Sequence, residues 1–454
     1  MNTQEKLKDL VEQCVSSIIS MFSEAISKGS FTLAVQETKS LTDNLGVNIL
    51  ETLCRKADKI YNDTRDKHQV TIKDKSKTRH LITELGEVTL ERICYFDKRS
   101  GKRFFAVDEM LGLEKRSRVE QGLQAKLIEQ ATLTSFGKSS AAVNNAVSRQ
   151  TVYNLTKKLK TIEAKMPAER RDVSDIYIEA DEDHIHLQNG KSAEVKLVYV
   201  HDGVKTICKD RTQLQNVRYF VSVDDDPDKI WNDVAHYVYR KYSMLNAKAH
   251  ISGDGAYWIK YGQHIFHKAQ YHIDKFHIQK SATAVAKGNR QVRSKILAAM
   301  RKRDYKSLKT VFQEQYLKYT ERTERRTIAE QYFYLLNNME TYGIKNRCSA
   351  EGHVSHVLSD RMSSRPMGWS RAGAEQMAKL RAFYFNGGNF LDLIRYGKIA
   401  EDDMQEIYTT RYNSHVNAVK LGVAPTPAKV YSVASIAGQN TRISKLLRSL
   451  IKIK

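Results

Sequence analysis

Cysteine is scarce in this chain of 454 residues: five, at positions 14, 54, 94, 208 and 348, with no CxxC pair. An odd, scattered set excludes a disulfide framework and a zinc ribbon or finger, and points to a reducing, cytoplasmic compartment. Proline is scarce too, five in all and none before Pro167, which leaves the first third free to form long helices. No run of about 18 apolar residues occurs, so no membrane span is expected. The opening MNTQEKLKDLVEQ lacks the basic start and unbroken apolar stretch of a secretory signal. Acid is the remaining shortage. Lys and Arg number 74 against 52 Asp and Glu, a net charge of +22. Such a surplus suits a polyanion, since each basic side chain on a phosphate releases condensed counterions. Apolar residues at 41% and aromatics at 9% suffice for sizeable cores, at a length suited to roughly two to four domains.

Residues 1–75 read as a helical region. Leu7, Leu10, Val11, Cys14, Val15, Ile18, Ile19, Phe22 and Ile26 recur at three- and four-residue spacing, an amphipathic stripe that reads first as a core-facing or self-associating helix and second as a partner-binding one. Between 80 and 107 the pattern changes to two or three short strands with a turn at Asp97–Gly101. Helices return at 114–160. There a short helix packed by Ala142 and Val143, a turn, and a Ser148-capped helix packed by Val152 and Leu155 have the layout of a helix-turn-helix. Its second helix would offer Arg149, Gln150, Asn154 and Lys157 to a major groove. An ordinary helical hairpin is the plainer alternative. Residues 76–165 thus form one candidate DNA-binding domain, and 161–174, around Pro167, read as a linker.

Strands are expected at 176–181, 195–200 and 219–223, a helix at 228–246, and a strand at 247–252 running into Gly253-Asp254-Gly255. Three strands, a helix and a strand ending in an acid are the front half of an RNase H-like sheet, assigned to 172–280. Residues 276–342 read as almost continuous helix. From 284 to 330 they carry 13 Lys or Arg against 5 acids, so 281–345 is a basic helical insertion. The core closes over 346–400. The tail, 401–454, ends in a basic amphipathic helix around Arg442–Leu450, and the last 48 residues contain no Asp or Glu.

Three segments carry carboxylates in strand-end or helix-start contexts. Glu179, Asp181 and Asp183 alternate along the first of those strands and share a face. Asp254 sits between two glycines at a strand end. Glu351 opens a segment with Val354, Val357 and Leu358 at helical spacing. Any one of these acids alone reads best as a surface residue; the ordered set is far more specific. Hard divalent cations take such carboxylates and keep several waters, so three or four acids are enough for phosphodiester chemistry.

These blocks resemble the Asp-Asp-Glu insertion-sequence transposases of the ISLre-two type, related to Mutator-like transposases. The resemblance is carried by Glu179-Ala180-Asp181-Glu182-Asp183-His184, Gly253-Asp254-Gly255-Ala256-Tyr257-Trp258-Ile259, Tyr271-His272-Ile273-Asp274-Lys275-Phe276-His277, Ser349-Ala350-Glu351-Gly352, and Arg361-Met362-Ser363-Ser364-Arg365-Pro366-Met367-Gly368-Trp369. It spans nearly the whole chain. It implies an α/β protein with an RNase H-like catalytic core and a helical insertion, preceded by an α-rich DNA-binding region with a small β segment. It further implies a catalytic triad of Asp181, Asp254 and Glu351, which with Asp183 as a further candidate would hold two Mg²⁺ ions, Mn²⁺ substituting. Either Asp181 or Asp183 could be the first acid. The implied activity is binding of terminal inverted repeats, strand cleavage by activated water, and attack of the freed 3′-OH on target DNA without a covalent enzyme intermediate. The implied partners are double-stranded DNA and at least one further copy of the chain, in the cytoplasm and on the nucleoid when bound.

Arg361, Arg365 and Trp369 are further candidate DNA contacts, Trp369 by stacking on an unpaired base, although a core tryptophan fits equally well. His272, His277, His353 and His356 cluster near the acids in sequence. They suit phosphate contacts or hydrogen bonds to the ligating carboxylates better than a zinc site with Cys348. Two other readings remain: a helix-turn-helix regulator with an inactive core, and an RNase H-like nuclease without strand transfer.

Overall fold

The computed structural model describes residues 3–209, 211–244, 247–266, 268–342 and 348–396. The basic tail expected at 401–454, including the helix around Arg442–Leu450, lies outside the described residues. The described chain divides into two compact units: 3–158 with 390–395, and 159–389 with Tyr396.

The first unit opens with two long helices, α1 (Thr3–Ser27) and α2 (Phe31–Thr64), joined at Gly29 and started afresh by Ser30, whose side chain caps the second helix. A three-stranded antiparallel sheet follows: β1 (Val70–Thr83), β2 (Gly86–Asp97) and β3 (Lys102–Phe105). β1 begins ten residues before the expected strand region, so the boundary drawn at 75/76 cuts through it. Lys73, Asp74, Lys75 and Lys77, together with register shifts at Ile72/Asp74 and Asp74/Lys77, hide its two-residue period. The second helix is stitched to the sheet by carboxylates: Glu51 accepts from Thr89 N (2.7 Å) and the buried Asp58 from Ile93 N (2.6 Å).

After α3 (Ala106–Met110) come α4 (Gln121–Leu133), α5 (Phe136–Ala141) and α6 (Arg149–Lys158). Leu123, Leu127, Ile128, Ala131, Val147, Val152 and Leu155 are buried in this three-helix group. The turn between α5 and α6 is made by Asn144 and Asn145, both left-handed (φ 51° and 56°), a conformation asparagine tolerates better than most residues. Ser148 caps α6, as expected. The packing of α5 differs from expectation. Ala142 is exposed and Val143 half-buried, whereas Ser139 and Ser140 are buried because their hydroxyls bond inward to Leu127 O and Val147 O.

The second unit is a mixed α/β layer structure. Its strands are β4 (Asp175–His186), β5 (Ser192–His201), the small hairpin β6 (Val204–Cys208) and β7 (Arg211–Leu214), and β8 (Arg218–Ser222). Then come α7 (Pro227–Lys241), β9 (Lys248–Gly253), α8 (Tyr257–Tyr261) and β10 (Ala269–Ile273). The five-stranded sheet has the order β10-β9-β4-β5-β8. The pairs β4–β5 and β5–β8 are antiparallel, and β4–β9 and β9–β10 parallel. The three strands, the helix and the strand ending at Asp254 stand where the sequence pattern puts them; β6, β7 and β10 are additional. The segment expected as a linker is extended and tied in, with Arg171 N bonded to Lys241 O (2.7 Å).

Alternation along β4 sets the two faces of the sheet. Ile176, Ile178 and Ala180 enter the main core with Trp231, Val234 and Val238 of α7. That core continues into four helices: α9 (Lys275–Ala286), α10 (Arg290–Lys302), α11 (Tyr305–Lys318) and α12 (Arg322–Asn337). The expected near-continuous helix is therefore broken. Left-handed residues at Lys287 and Gly288 and at Arg303 end α9 and α10 and let the chain fold back. The opposite face receives Glu179, Asp181 and Asp183. It is met by α13 (Ala350–Val354), a π-turn at Ser355–Ser359, α14 (Asp360–Met362) and α15 (Arg371–Phe385). The short helix α16 (Phe390–Tyr396) ends the described chain.

Candidate functional site

Three carboxylates on one face of β4, Glu179, Asp181 and Asp183, have different partners. Glu179 is 2% exposed and accepts four hydrogen-bonding groups: Tyr199 OH, His201 Nε2 (3.0 Å), Ser349 N (2.6 Å) and Ser349 Oγ (3.3 Å). Burial opposes its charge, but the bonds from His201, Tyr199 and Ser349 outweigh burial and hold the carboxyl below its usual range. Because Ser349 is the cap residue of α13, Glu179 fixes the start of the helix that carries Glu351. Asp183 accepts from Ser363 Oγ (3.0 Å), at the far end of the same helical segment, and burial raises its pKa. Asp181, between them, is 7% exposed, and the one side-chain bond resolved for it is to its neighbour Glu182 N (2.9 Å). Its pKa is raised to about 7, by burial first and then by the charges of Asp254 and Glu351.

That shift reflects how the backbone gathers acids distant in sequence. The parallel register sets Glu179 opposite Ser252, and continuing it brings Asp181 beside Asp254, just beyond the ladder. Gly253 is required there: a Cβ would lie 2.6 Å from the Ala180 carbonyl, so only glycine lets β9 lie this close to β4. Gly255 has φ +99°, which a side chain would strain. Asp254 Oδ1 accepts from Ala256 N (2.8 Å), and its carbonyl accepts from Tyr334 OH of α12, so the insertion braces this loop.

A tight donor group forms from Asp181, Glu351 and His277, whose potential ligand atoms lie within 4.8 Å of one another. His277 Nε2 is 3.9 Å from Asp274 and 4.0 Å from Glu351, and Glu351 itself is 60% exposed. Asp254 acts on Asp181 electrostatically but is not in that tight group, where an imidazole stands instead. Asp274 is buried and caps α9 through Phe276 N (3.1 Å); burial raises its pKa, with Glu179 and Glu351 adding to the rise. Neither Asp274 nor His277 was singled out as a ligand by spacing. The available signal was an acid and a histidine three residues apart, which one helical turn places on the same side.

The other histidines go elsewhere. His272 is buried against His250 (3.0 Å), which bonds Asp175 (2.8 Å), and burial lowers the His272 pKa to about 4. His353 packs on Tyr199 and bonds Tyr219 OH (2.9 Å), while His356 faces Asp360 (3.4 Å). Among the described residues no metal-spaced group includes Cys348.

The candidate DNA contacts also divide. Arg149, Gln150, Asn154 and Lys157 are all exposed on one side of α6, opposite the buried Val152 and Leu155. Arg365 is exposed. Arg361 and Trp369 are not available as drawn from sequence: they are 3% and 7% exposed, the guanidinium carbon lies 5.1 Å from the indole, and Trp369 Nε1 bonds Met362 O (2.9 Å). The Trp369 backbone also bonds His186 O and Gln188 N (2.9 Å each), which locks this segment to the end of β4.

Residues 28–398 match the family described as an uncharacterised protein family, UPF0236. Similar proteins occur in Caldanaerobacter subterraneus subsp. tengcongensis. UPF0236 protein TTE2489 is 34% identical over 444 residues, covering 95% of this chain and 96% of the relative. UPF0236 protein TTE0610/TTE0881/TTE1053/TTE2432 is also 34% identical, over 95% of this chain and 94% of the relative. A third relative, whose name joins eleven designations beginning with TTE0033, is 33% identical over 95% of this chain and 94% of its own length. On a match of this extent, the chain belongs to the UPF0236 family.

Proposed function

We propose that this protein is a DNA transposase of the Asp-Asp-Glu type, cutting and joining DNA strands at the centre formed by Asp181, Asp254 and Glu351. The observation that carries the reading is the convergence of three carboxylates, far apart in sequence, at one end of a β4–β9 strand pair, with Asp181 desolvated beside the other two. The order of elements in the sheet is what an RNase H-like core calls for. A relative whose single name joins eleven designations in one organism is what repeated copying of a mobile element leaves behind. The exposed polar face of α6 and the charge of +22 suit double-stranded DNA.

The donor set fits a hard divalent cation, Mg²⁺ or Mn²⁺. Carboxylate oxygens dominate it, and the imidazole of His277 favours Mn²⁺ of the two. Asp181, Glu351 and His277 would hold it, with Asp254 beside them. Such a cation neutralises phosphate charge and lowers the pKa of an attacking water or hydroxyl. The chain's own residues supply the rest. Glu179 and Asp183 clamp the two ends of the Glu351 segment onto β4, Tyr334 fixes the Asp254 loop, and burial keeps Asp181 poorly solvated. The DNA-bound protein would work on the nucleoid as two or more copies.

The test is incubation of the purified protein with Mn²⁺ and DNA carrying the element's own ends. Nicked and joined products are expected, and Asp181→Ala, Asp254→Ala or Glu351→Ala should each reduce them about a thousandfold while DNA binding persists. Products from all three variants at the wild-type rate would refute the site. DNA binding without any cleavage by the wild type would favour a regulator.

A further inference from the structure

Helix α1 has more apolar surface than α2 covers. On its inner side Cys14 reaches Leu41 O (3.6 Å), and Leu7, Leu10 and Ile18 are half-buried. Beside them runs a second row, Val11 (43% exposed), Val15 (50%), Ile19 (63%), Phe22 (48%) and Ile26 (67%). At about 100° per residue this outer row fits within roughly 80° of arc, and the two rows together occupy roughly half the helix circumference. Phe31 (77%) and Val35 (53%) extend the row across the hairpin tip onto α2, and Leu53 (43%) and Ile60 (53%) continue its line. Of the 25 residues of α1, only Ala25 is buried. A helix with two adjoining apolar rows and so little burial has the pattern of a member of a four-helix bundle, which touches two neighbours.

We propose that the missing neighbour is the same hairpin of a second copy of this chain, the two hairpins closing into an antiparallel four-helix bundle around a two-fold axis. Charge excludes the polyanion that the rest of the molecule suits. Residues 1–64 hold seven Lys or Arg against nine Asp or Glu in a chain of net +22, and residues 13–23 of α1 hold no charge at all. Over residues 13–23 the row is bordered by serine and glutamine, and such an uncharged stretch is complementary to another copy of itself, as an isologous contact requires. Joining the rows would remove on the order of 1,000 Å² of surface, about the size at which a specific interface becomes stable. The midpoint of the outer row falls beside Ile19, so this residue would meet its own symmetry mate. The inference stands on the helices alone and does not need the DNA chemistry proposed above.

The test uses the full chain without DNA or metal, followed by sedimentation equilibrium across concentration. The wild type should be a dimer. Ile19→Glu should weaken dimerisation by at least about a hundredfold, through burial of like charges at the axis, with helix content by circular dichroism unchanged. Mixing Ile19→Glu with Ile19→Lys should restore a dimer, which shows that both variants are folded. A wild type that is monomeric throughout, or dimeric only when DNA is added, overturns the proposal. So does an Ile19→Glu chain that dimerises like the wild type. None of these results bears on the cleavage assay, so the two readings fail separately.

Discussion

Strand β4 buries Glu179 and Asp181 and half-buries Asp183 between two layers of its unit, whereas helix α6 holds Arg149, Gln150, Asn154 and Lys157 in open solvent. A buried charge must be matched by donors or by a cation, so partners can be read directly. Glu179 is matched by four groups, whereas Asp183 and Asp181 each accept one bond, from Ser363 Oγ and from the Glu182 amide, and Asp183 Oδ2 is buried without a partner. The neighbours separate these two acids of one strand face: the charges of Asp254 and Glu351 act on Asp181, whereas Asp183 meets serine hydroxyls. On α6 no such accounting applies. Those four side chains face solvent, Gln150 donating to Asn154 Oδ1 (3.0 Å), and exposure by itself names no partner.

The contrast can be sharpened by substitution. Trp369 belongs with the buried group, so Trp369→Ala should cost about 3–5 kcal/mol of stability, read from chemical denaturation, without changing the preference for element ends. Lost end preference in a chain that remains stable would return Trp369 to the DNA contacts. On α6, Arg149→Ala with Asn154→Ala should weaken binding to element ends by about 1–3 kcal/mol per lost base contact and affect random DNA much less. Equal losses on both DNAs, compared at one salt concentration, would leave α6 as an ordinary helix of a hairpin.

The smallest effect is set by protons. In the cation-free protein Asp181 is raised to about 7, by burial and then by its acidic neighbours. A bound proton must leave before a cation enters, so Mn²⁺ affinity should fall about tenfold per pH unit below 7 and level off above it. Stability runs the other way. Between about pH 4 and 7 the folded state binds more protons at this site than the unfolded state, so the cation-free protein should lose stability as pH rises through that window. Asp181→Asn should flatten both profiles, and titration calorimetry and thermal melts would check it.

Much of this architecture is legible in the sequence because burial imposes a period. The alternation in Ile176–Asp181 and the three- and four-residue spacing in α7 each reflect a face that must leave water. The acid after a strand, at Asp254, is legible because its flanking glycines mark a close backbone approach. Other features leave no such trace. The first ten residues of β1 are half-buried or exposed and mostly polar, and they carry bulges. The strand β10 is only five residues long. Arg361 looks like a surface residue because arginine is rarely so buried, and only the ring of Trp369 and the folded helical segment around it explain its place. His277 joins Asp181 and Glu351 through tertiary contact across separate elements, which no local spacing encodes.

The claim that separates chemistry from scaffolding on β4 is tested most directly by one paired measurement: Mn²⁺-dependent cleavage of end-bearing DNA by Asp181→Asn and by Asp183→Asn, each folded by circular dichroism. Asp181→Asn should give no detectable cleavage, whereas Asp183→Asn should retain cleavage, its amide oxygen still accepting from Ser363. Active Asp181→Asn beside inactive Asp183→Asn would contradict it.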